Sequence, residues 1–192
     1  MKRYFLLILL FAFYSTSIFS QEMSKDSFNE LLGKLIKEGD SINKASIGTQ
    51  YMNFTAITLD NINISEKDLL GKVTLLNFWF EGCAPCVAEF KYLNELYLKY
   101  KETSVFQLIS FTLDSAEDAK NTSIKHNIHY AIAPISREEC SRLSLDNGFP
   151  TNIIIDKNGK IIYLKSGGPV IEEKVKKQIQ LFEQEIVDEL AR

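Results

Sequence analysis

Cysteine and histidine are scarce in this sequence: the 192 residues include three cysteines and two histidines. A disulfide scaffold needs more cysteines, distributed along the chain, so that class of protein is excluded. A structural zinc site needs four protein ligands, and only Cys140, His126 and His129 could complete one around Cys83 and Cys86. There is no second Cys-x-x-Cys motif. We therefore predict no metal site and no cofactor, and we expect both histidines at the surface.

Clusters of basic residues are also missing. The chain has 22 Lys and Arg residues against 25 Asp and Glu residues, a formal net charge of −3. Nucleic acid is not a predicted partner, because contacts with phosphates need clustered Lys and Arg side chains. The sequence has no internal repeat or low-complexity tract, and its length suits one ordinary domain plus an export segment.

A long apolar run stands at the N-terminus. Residues 1–20 have the form of a signal peptide: Lys2 and Arg3 precede the apolar run Tyr4–Tyr14, and small residues lead to a cleavage position before Gln21. The competing interpretation is an uncleaved membrane anchor, although the run is shorter than the ~20 residues that a span needs. In either case the rest of the chain is predicted to be exported, to the periplasm or another extracytoplasmic compartment.

A helical extension is predicted over residues 21–45, after the signal peptide. Apolar residues recur there at helical spacing from Phe28 onward, and we expect Gly39 and Asp40 to end the helix. A single domain is predicted over the remaining residues, 46–192.

The predicted domain alternates strands and helices. It opens with a β-hairpin whose arms are Tyr51–Leu59 and Ile62–Ile64. Further strands are predicted at Val73–Phe80, Val105–Leu113, Ile128–Ile135, Phe149–Ile155 and Lys160–Leu164, and further helices after Cys83, Ser115, Ser136 and Pro169. Crossover helices imply parallel pairing of the first central strands, and the tight turn between the last two strands implies antiparallel pairing. The predicted fold class is α/β, a mixed central β-sheet flanked by helices, with an N-terminal β-hairpin extension.

The motif Cys83-Ala-Pro-Cys86 stands between a predicted buried strand and an amphipathic helix. The unpaired N–H groups and the dipole at a helix N-terminus stabilise a thiolate, which is the attacking species. Cys83 precedes the helix and can be exposed, so it is the predicted nucleophile. Cys86 should be more buried and should resolve the mixed disulfide, and Pro85 suits the first helical turn. A purely structural disulfide remains the alternative, although closing so small a loop restricts the unfolded chain little.

Several stretches, occurring in order, carry a resemblance to a known family. They are Ile47-Gly48, Phe54-Thr55, Gly71-Lys72-Val73, Leu76-Asn-Phe-Trp79, Cys83-Ala-Pro-Cys-Val-Ala-Glu89, Phe149-Pro-Thr151 and Ile155-Asp-Lys-Asn-Gly159. On these stretches, residues 45–170 resemble the TlpA/ResA-like, AhpC/TSA-related branch of the thioredoxin superfamily, which includes periplasmic cytochrome c maturation reductases. The resemblance implies a thioredoxin fold and a thiol–disulfide oxidoreductase. Its implied partners are disulfide-containing exported proteins and a membrane thiol reductant.

The resemblance also assigns roles to residues around the cysteine pair. It implies that Pro150 is cis and packs against the disulfide; a trans proline that starts an edge strand is the alternative. Glu89 matches the family's acidic residue, which could accept the proton of Cys86; the alternative is an ordinary acid in the first turn of a helix. Asn77 stands where thioredoxins carry a buried Asp, which moves that proton role toward Glu89.

The predicted lining of the site includes one departure from the family pattern. Gly82 replaces the Trp that usually precedes the first cysteine, and its small size is expected to widen the substrate groove. The residues expected to line the site are Trp79, Gly82, Pro85, Phe149 and Thr151. Trp79 is expected to pack beside the site and not to react.

Rival interpretations remain open at this point. Cys140 is expected to be a buried, inert thiol, and the alternative is a second resolving thiol. A peroxiredoxin-like peroxidase is disfavoured, because Leu76 and Phe80 stand where those enzymes carry a Pro and a Thr or Ser. The non-enzymatic rival is a thioredoxin-like binding module or metallochaperone. The motif alone does not fix the direction of catalysis, because reductases, oxidases and isomerases share it.

Overall fold

The computed structural model describes residues 25–192, so the predicted signal peptide lies outside the described residues. Helix α1 spans Lys25–Ser46. The prediction that Gly39 and Asp40 end this helix was wrong. A glycine inside a helix costs only about 1 kcal/mol relative to alanine, and no proline follows to stop the helix. Within the described residues, no helix is both long enough and apolar enough to span a membrane.

Seven strands and four further helices follow α1. The strands are β1 Thr55–Ile57, β2 Asn63–Ser65, β3 Val73–Trp79, β4 Phe106–Thr112, β5 Ala131–Pro134, β6 Thr151–Ile155 and β7 Ile161–Ser166. The helices are α2 Ala84–Tyr100, α3 Ala116–His126, α4 Arg137–Leu143 and α5 Glu172–Leu190, with a 3₁₀ helix at Glu66–Leu69. Every element predicted between the hairpin and the last helix is present, and most boundaries differ by a few residues.

Five strands form one mixed sheet in the order β5-β4-β3-β6-β7. Strands β3, β4 and β5 are parallel, whereas β6 pairs antiparallel with both β3 and β7. All seven residues of the central strand β3 are buried, as its continuous apolar run predicts. The predicted mixed central sheet is confirmed.

The N-terminal β-hairpin is also confirmed, with arms shorter than predicted. β1 and β2 pair antiparallel, from Thr55 opposite Ser65 to Ile57 opposite Asn63. The turn between them contains Asn61 at a φ of 59°, a left-handed conformation that Asn tolerates better than most residues.

Two hydrophobic clusters cover the two faces of the central sheet. Successive residues of a strand point to opposite faces, so Leu75 and Trp79 enter one cluster while Leu76 and Phe78 enter the other. The first cluster contains both cysteines of the Cys-x-x-Cys motif and the buried faces of α2 and α5. The second contains the buried residues of α4. Helices therefore flank both faces, as predicted.

Candidate active site

Cys83 and Cys86 form a disulfide at the start of α2. Cys83 is the N-cap residue of the helix, and its Sγ accepts a hydrogen bond from the backbone N–H of Cys86 at 3.3 Å. Cys83 is 6% exposed and Cys86 is 1% exposed, so Cys86 is the more buried, as expected. Cys83 also belongs to the first hydrophobic cluster, so little of it is accessible in the disulfide form. Its neighbours Gly82 and Ala84 are exposed and open the approach to the sulfur.

The turn that carries Cys83 is held by the ends of two neighbouring strands. The N–H of Glu81 donates to Oδ2 of Asp114 at 2.8 Å, just after β4, and the N–H of Cys83 donates to the carbonyl of Phe80 at 3.1 Å. Lys125 of α3 forms an ion pair with Glu81 at 3.1 Å. Because β3 and β4 are parallel, both strands end at this edge, and Asp114 fixes the spacing between them.

Gly82 sits against an aromatic ring. A Cβ atom added at Gly82 would lie 3.1 Å from the ring of Phe80, so a larger residue would require that ring to move. Phe80 packs edge-to-face on Phe149 with ring centroids 5.2 Å apart. The half-buried rings of Phe80 and Phe149 therefore form an apolar wall next to the exposed Gly82.

The peptide bond between Phe149 and Pro150 is cis, as the family resemblance implies. The carbonyl of Pro150 accepts a hydrogen bond from the N–H of Gly167 at 2.7 Å, and the Thr151 hydroxyl donates to the carbonyl of Gly148 at 2.6 Å. Pro150 and Thr151 are buried. The contact of Pro150 with the disulfide stays a prediction.

Glu89 is completely buried on α2, three residues after Cys86, so the two residues share a face of the helix. Its carboxylate accepts two hydrogen bonds, from Nδ2 of Asn152 at 3.0 Å and from Nε2 of Gln178 at 2.6 Å. Burial raises its pKa to about 7, while the two hydrogen bonds act in the opposite direction. Glu89 is therefore not an ordinary solvent-facing acid in the first turn of a helix.

Asn77 extends this buried polar network across the sheet. Its Nδ2 donates to Oδ1 of Asn152 at 3.0 Å, which orients the Nδ2 of Asn152 toward Glu89. The network therefore runs from Asn77 through Asn152 and Glu89 to Gln178. It connects β3, β6, α2 and α5 on the face of the sheet that holds the cysteine pair.

Three residues of this region were not found from the sequence: Asn152, Gln178 and Gly168. Asn152 interrupts an otherwise isoleucine-rich strand, and Gln178 interrupts the apolar stripe of α5, so each carries a visible signal. Gly168 carries none, because its role depends on a tertiary contact. A Cβ atom added there would lie 2.9 Å from Oε1 of Glu89 and 3.1 Å from Cγ of Pro150.

Aromatic rings pack beside the site. Trp79 is fully buried and meets Phe90 edge-to-face with ring centroids 5.0 Å apart, in agreement with a packing role. His126 was expected at the surface, but it is half-buried and its ring contacts Phe90 at 5.3 Å. Burial lowers its pKa. His129 is exposed, as expected.

Cys140 lies in the second hydrophobic cluster, on the opposite face of the sheet from the cysteine pair. It is a free thiol, 1% exposed, and burial raises its pKa to about 12. A thiol with so high a pKa and so little access favours the inert role over the resolving role.

In the described part of the chain, no three His, Cys, Asp or Glu side chains lie together in a way that could hold a metal ion.

A mixed sheet, a disulfide that caps a helix and a cis proline in the neighbouring loop define a thioredoxin-fold thiol–disulfide oxidoreductase. Comparisons with known proteins agree. Residues 47–164 match the model of the AhpC/TSA family, and the chain belongs to this family. It is 35% identical over 144 residues to a thiol-disulfide oxidoreductase ResA of Bacillus cereus, covering 74% of this chain and 80% of that relative. The ResA of Bacillus anthracis is 34% identical over 138 residues, covering 71% and 76%.

Solved structures show the same fold. A chain assigned as the thiol:disulfide interchange protein DsbE of Chlorobium tepidum superposes with a TM-score of 0.62 at 26% identity, over 71% of this chain and 96% of that one. A chain assigned as a protein disulfide isomerase from Bacteroides thetaiotaomicron gives 0.62 at 25% identity, over 73% and 90%. The predicted fold, enzyme class and TlpA/ResA resemblance are therefore confirmed.

Proposed function

We propose that this oxidoreductase is exported and reduces disulfides in exported proteins through the Cys83–Cys86 pair. The observation that carries the proposal is the buried carboxyl of Glu89, three residues beyond Cys86 on the same helix. It provides a proton acceptor behind the second cysteine, while the start of the helix stabilises the first cysteine as thiolate.

The reaction begins with the reduced pair. The Cys83 thiolate attacks one sulfur of the substrate disulfide; the Cys83–substrate bond forms, the substrate disulfide breaks, and the first substrate thiolate leaves. Cys86 then loses its proton to Glu89 and attacks the sulfur of Cys83. The Cys83–Cys86 disulfide forms and the second substrate thiolate leaves. The substrate has gained two electrons, which the pair has lost.

The assignment of Cys83 as nucleophile rests on its position and on its hydrogen bond. Its sulfur accepts the N–H of Cys86 and stands at the N-terminus of α2, where the peptide dipoles favour negative charge. Cys83 is also the more exposed of the two sulfurs. Cys86 lies within the helix, is 1% exposed and is bonded to Cys83.

The exported location rests on residues 1–20, which have the sequence form of a signal peptide. Outside the cytoplasm, a membrane thiol reductant would return the pair to the dithiol after each turnover. The resemblance to TlpA/ResA proteins points to cytochrome c maturation as a process that would use such an enzyme. Exposed Gly82 and the rings of Phe80 and Phe149 would contact the substrate beside the disulfide.

The midpoint potential of the Cys83–Cys86 pair tests the direction of the reaction. The full-length protein would be equilibrated in dithiothreitol or glutathione buffers and its free thiols trapped by alkylation. We expect a potential at or below about −250 mV, near that of thioredoxin. A potential above about −180 mV would reverse the proposed direction to oxidation or isomerisation. A pair that does not cycle would remove the reductase proposal.

Cell fractionation tests the export. The full-length chain, produced in a Gram-negative bacterium, is expected in the periplasmic fraction with Gln21 at its N-terminus. Recovery in the membrane fraction with Met1 retained would identify an anchor instead of a cleaved signal. Recovery in the cytoplasmic fraction would contradict the export proposal.

A further inference from the structure

The C-terminal helix α5 has one amide side chain within its apolar stripe. Gln178 is 9% exposed and lies among buried apolar residues of the same helix, including Val175, Ile179 and Phe182. A buried amide is costly unless it is hydrogen-bonded, and an apolar residue would fit this stripe better. The hydrogen bond of Gln178 reaches across the core to Oε1 of Glu89, at 2.6 Å.

We propose that Gln178 is a positioning residue of the reaction: its amide fixes the Glu89 carboxyl behind Cys86 and sets how readily that carboxyl gains and loses a proton. The inference rests on the proposed role of Glu89 as the proton acceptor for Cys86. It assigns part of the active site to the last helix of the chain, far in sequence from the Cys-x-x-Cys motif.

The carboxyl of Glu89 is confined on several sides. Asn152 donates to Oε2 and Gln178 donates to Oε1. Gly168 lies next to Oε1 and leaves the space that the carboxyl needs, because an added Cβ there would come within 2.9 Å of that oxygen. The two hydrogen bonds therefore hold the carboxyl in one orientation. Asn152 bonds Oε2, and Gln178 bonds Oε1.

The two amides differ in what they can offer to a protonated Glu89. Asn152 accepts a hydrogen bond from Asn77 through its Oδ1, so its Nδ2 is committed to donating toward Glu89. Gln178 can rotate its amide by half a turn and present its carbonyl oxygen instead. Gln178 can therefore donate to the carboxylate and accept from the acid by its own rotation, whereas Asn152 would need Asn77 to rotate with it.

The titratable groups near Glu89 are few. Cys86 and Cys83 stand on its own helix, and Tyr130, which precedes β5, interacts with the charge of Glu89. Burial raises the pKa of Tyr130, and the negative charge of Glu89 raises it further to a smaller extent. Tyr130 therefore stays neutral over the pH range of the experiment. The groups contributed by β6, the loop after β7 and α5 are Asn152, Gly168 and Gln178, and none of them carries a charge. The hydrogen bond from Gln178 lowers the pKa of Glu89, against the larger effect of burial.

The test is Gln178→Met in the full-length protein, with Gln180→Met as the matched control. Methionine keeps the length of the side chain and removes the amide, and Gln180 is an exposed glutamine two residues further along α5. Two quantities are measured across pH 5 to 9 (about the range in which a carboxyl and a thiol both titrate). One is the titration of Glu89 from its carboxyl ¹³C shift. The other is the rate at which the reduced pair is oxidised by saturating glutathione disulfide, so that attack by Cys86 is measured.

We expect Gln178→Met to move both the Glu89 midpoint and the pH at which the rate rises upward by about one pH unit. The variant loses a hydrogen bond to either form of Glu89, and the bond to the charged form is the stronger of the two. Gln180→Met should move neither. In a Glu89→Gln background, Gln178→Met should leave the pH profile of the rate unchanged.

An unmoved Glu89 midpoint in Gln178→Met would overturn the inference. A moved midpoint with an unmoved rate profile would overturn the role of Glu89 as proton acceptor, and with it the positioning role in the reaction. The reductase proposal is tested separately by the midpoint potential of the Cys83–Cys86 pair. A potential that contradicts that proposal would not by itself move the Glu89 midpoint in Gln178→Met. If Gln178→Met does not fold, Gln178→Leu, which suits the apolar stripe of α5, replaces it under the same criteria.

Discussion

At the scale of single residues, the feature with the largest consequence is a carboxyl group that is shielded from solvent. Glu89 is 0% exposed and has neutral amides, not cations, as its hydrogen-bond partners. Amides satisfy the oxygens without cancelling the charge, so the cost of burying a carboxylate is only partly offset. The group therefore keeps a pKa near neutrality, where a proton can move in either direction.

This cost predicts a pH-dependent stability. The pKa of Glu89 is raised from 4.5 to about 7, so between these values the folded protein holds a proton that the unfolded chain has lost. The free energy of unfolding should therefore fall as pH rises from about 4.5 to about 7, by about 3 kcal/mol in total. Glu89→Gln removes this dependence and should be the more stable protein at pH 8. Urea unfolding at pH 4 and pH 8 measures the difference.

The control for that prediction is Glu95→Gln, an exposed glutamate on the same helix. It should follow the pH dependence of the unaltered protein. Equal loss of stability with pH in Glu89→Gln and the unaltered protein would mean that Glu89 is not the group responsible.

Cys140 contrasts with Glu89: it is a reactive type of residue, but its buried surroundings keep the thiol unreactive. Because it is buried on the far face of the sheet, Cys140→Ala should leave disulfide-reductase turnover unchanged. It should reduce the free energy of unfolding by about 1 kcal/mol, the order expected for one buried group of this size. Cys86→Ala, in contrast, should trap the mixed disulfide and stop turnover. A comparable loss of turnover in Cys140→Ala would restore the second resolving thiol as a hypothesis.

At the scale of secondary-structure elements, the position of the disulfide depends on two parallel strands that end together. Asp114 follows β4 and accepts the N–H of Glu81, which follows β3, while also accepting the hydroxyl of Thr112 at 3.2 Å. A side chain outside the motif therefore holds the turn that delivers Cys83 to the start of α2.

Removing the Asp114 side chain should affect the turn before Cys83 locally, because the hydrogen bond from the N–H of Glu81 is lost. Asp114→Ala should raise the rate of amide hydrogen exchange at Glu81 by about tenfold, the loss expected for one hydrogen bond to a charged group near the surface. Asp114→Asn keeps an acceptor oxygen and should stay close to the unaltered protein. Exchange measured by NMR decides the matter, and similar exchange in both variants would show that other contacts hold the turn.

The elements were predictable where their signals are local. β3 is a continuous apolar run, and α3 and α4 begin after Ser115 and Ser136, whose hydroxyls accept the N–H groups of Asp118 and Glu139. The end of α1 was not predictable by the same means, because Gly39 in a helix is only a small penalty that the chain tolerates.

The candidate site was predictable only along one strand-turn-helix unit. Cys83, Cys86 and Glu89 lie within seven consecutive residues, so their spacing on a helix could be worked out from the sequence. Three other residues contact Glu89 from elsewhere in the chain: Asn152, Gly168 and Gln178. These are tertiary contacts, and the periodicity of a sequence does not predict them. Glu89 itself was named from the family resemblance, but the residues that surround its carboxyl could be found only from the structure.

At the scale of the whole molecule, two hydrophobic clusters share one sheet. α5 closes the cluster that contains the cysteine pair, with Phe182 fully buried and in edge-to-face contact with Tyr163 of β7 at 5.7 Å. The last helix is thus both a packing element and the source of Gln178. Stability of the core and geometry of the site are coupled through it.

Phe182→Ala should lower the free energy of unfolding by about 3–5 kcal/mol, because it removes a large buried ring and leaves a cavity. Leu181→Ala is the matched control, since Leu181 is the preceding residue of α5 and is 52% exposed. It should cost less than about 1 kcal/mol. Denaturant unfolding followed by circular dichroism measures both. A loss in Phe182→Ala no larger than that in the control would mean that α5 is not a structural part of the first cluster.

Trp79 gives the protein an optical property of its own. It is the single tryptophan of the chain, it is shielded from solvent, and it packs in the same cluster as both cysteines. All intrinsic tryptophan emission therefore originates in the cluster that holds the redox pair, and a change of its intensity on reduction reports on that location. The redox state could be followed by fluorescence in real time without attaching a dye or altering the sequence.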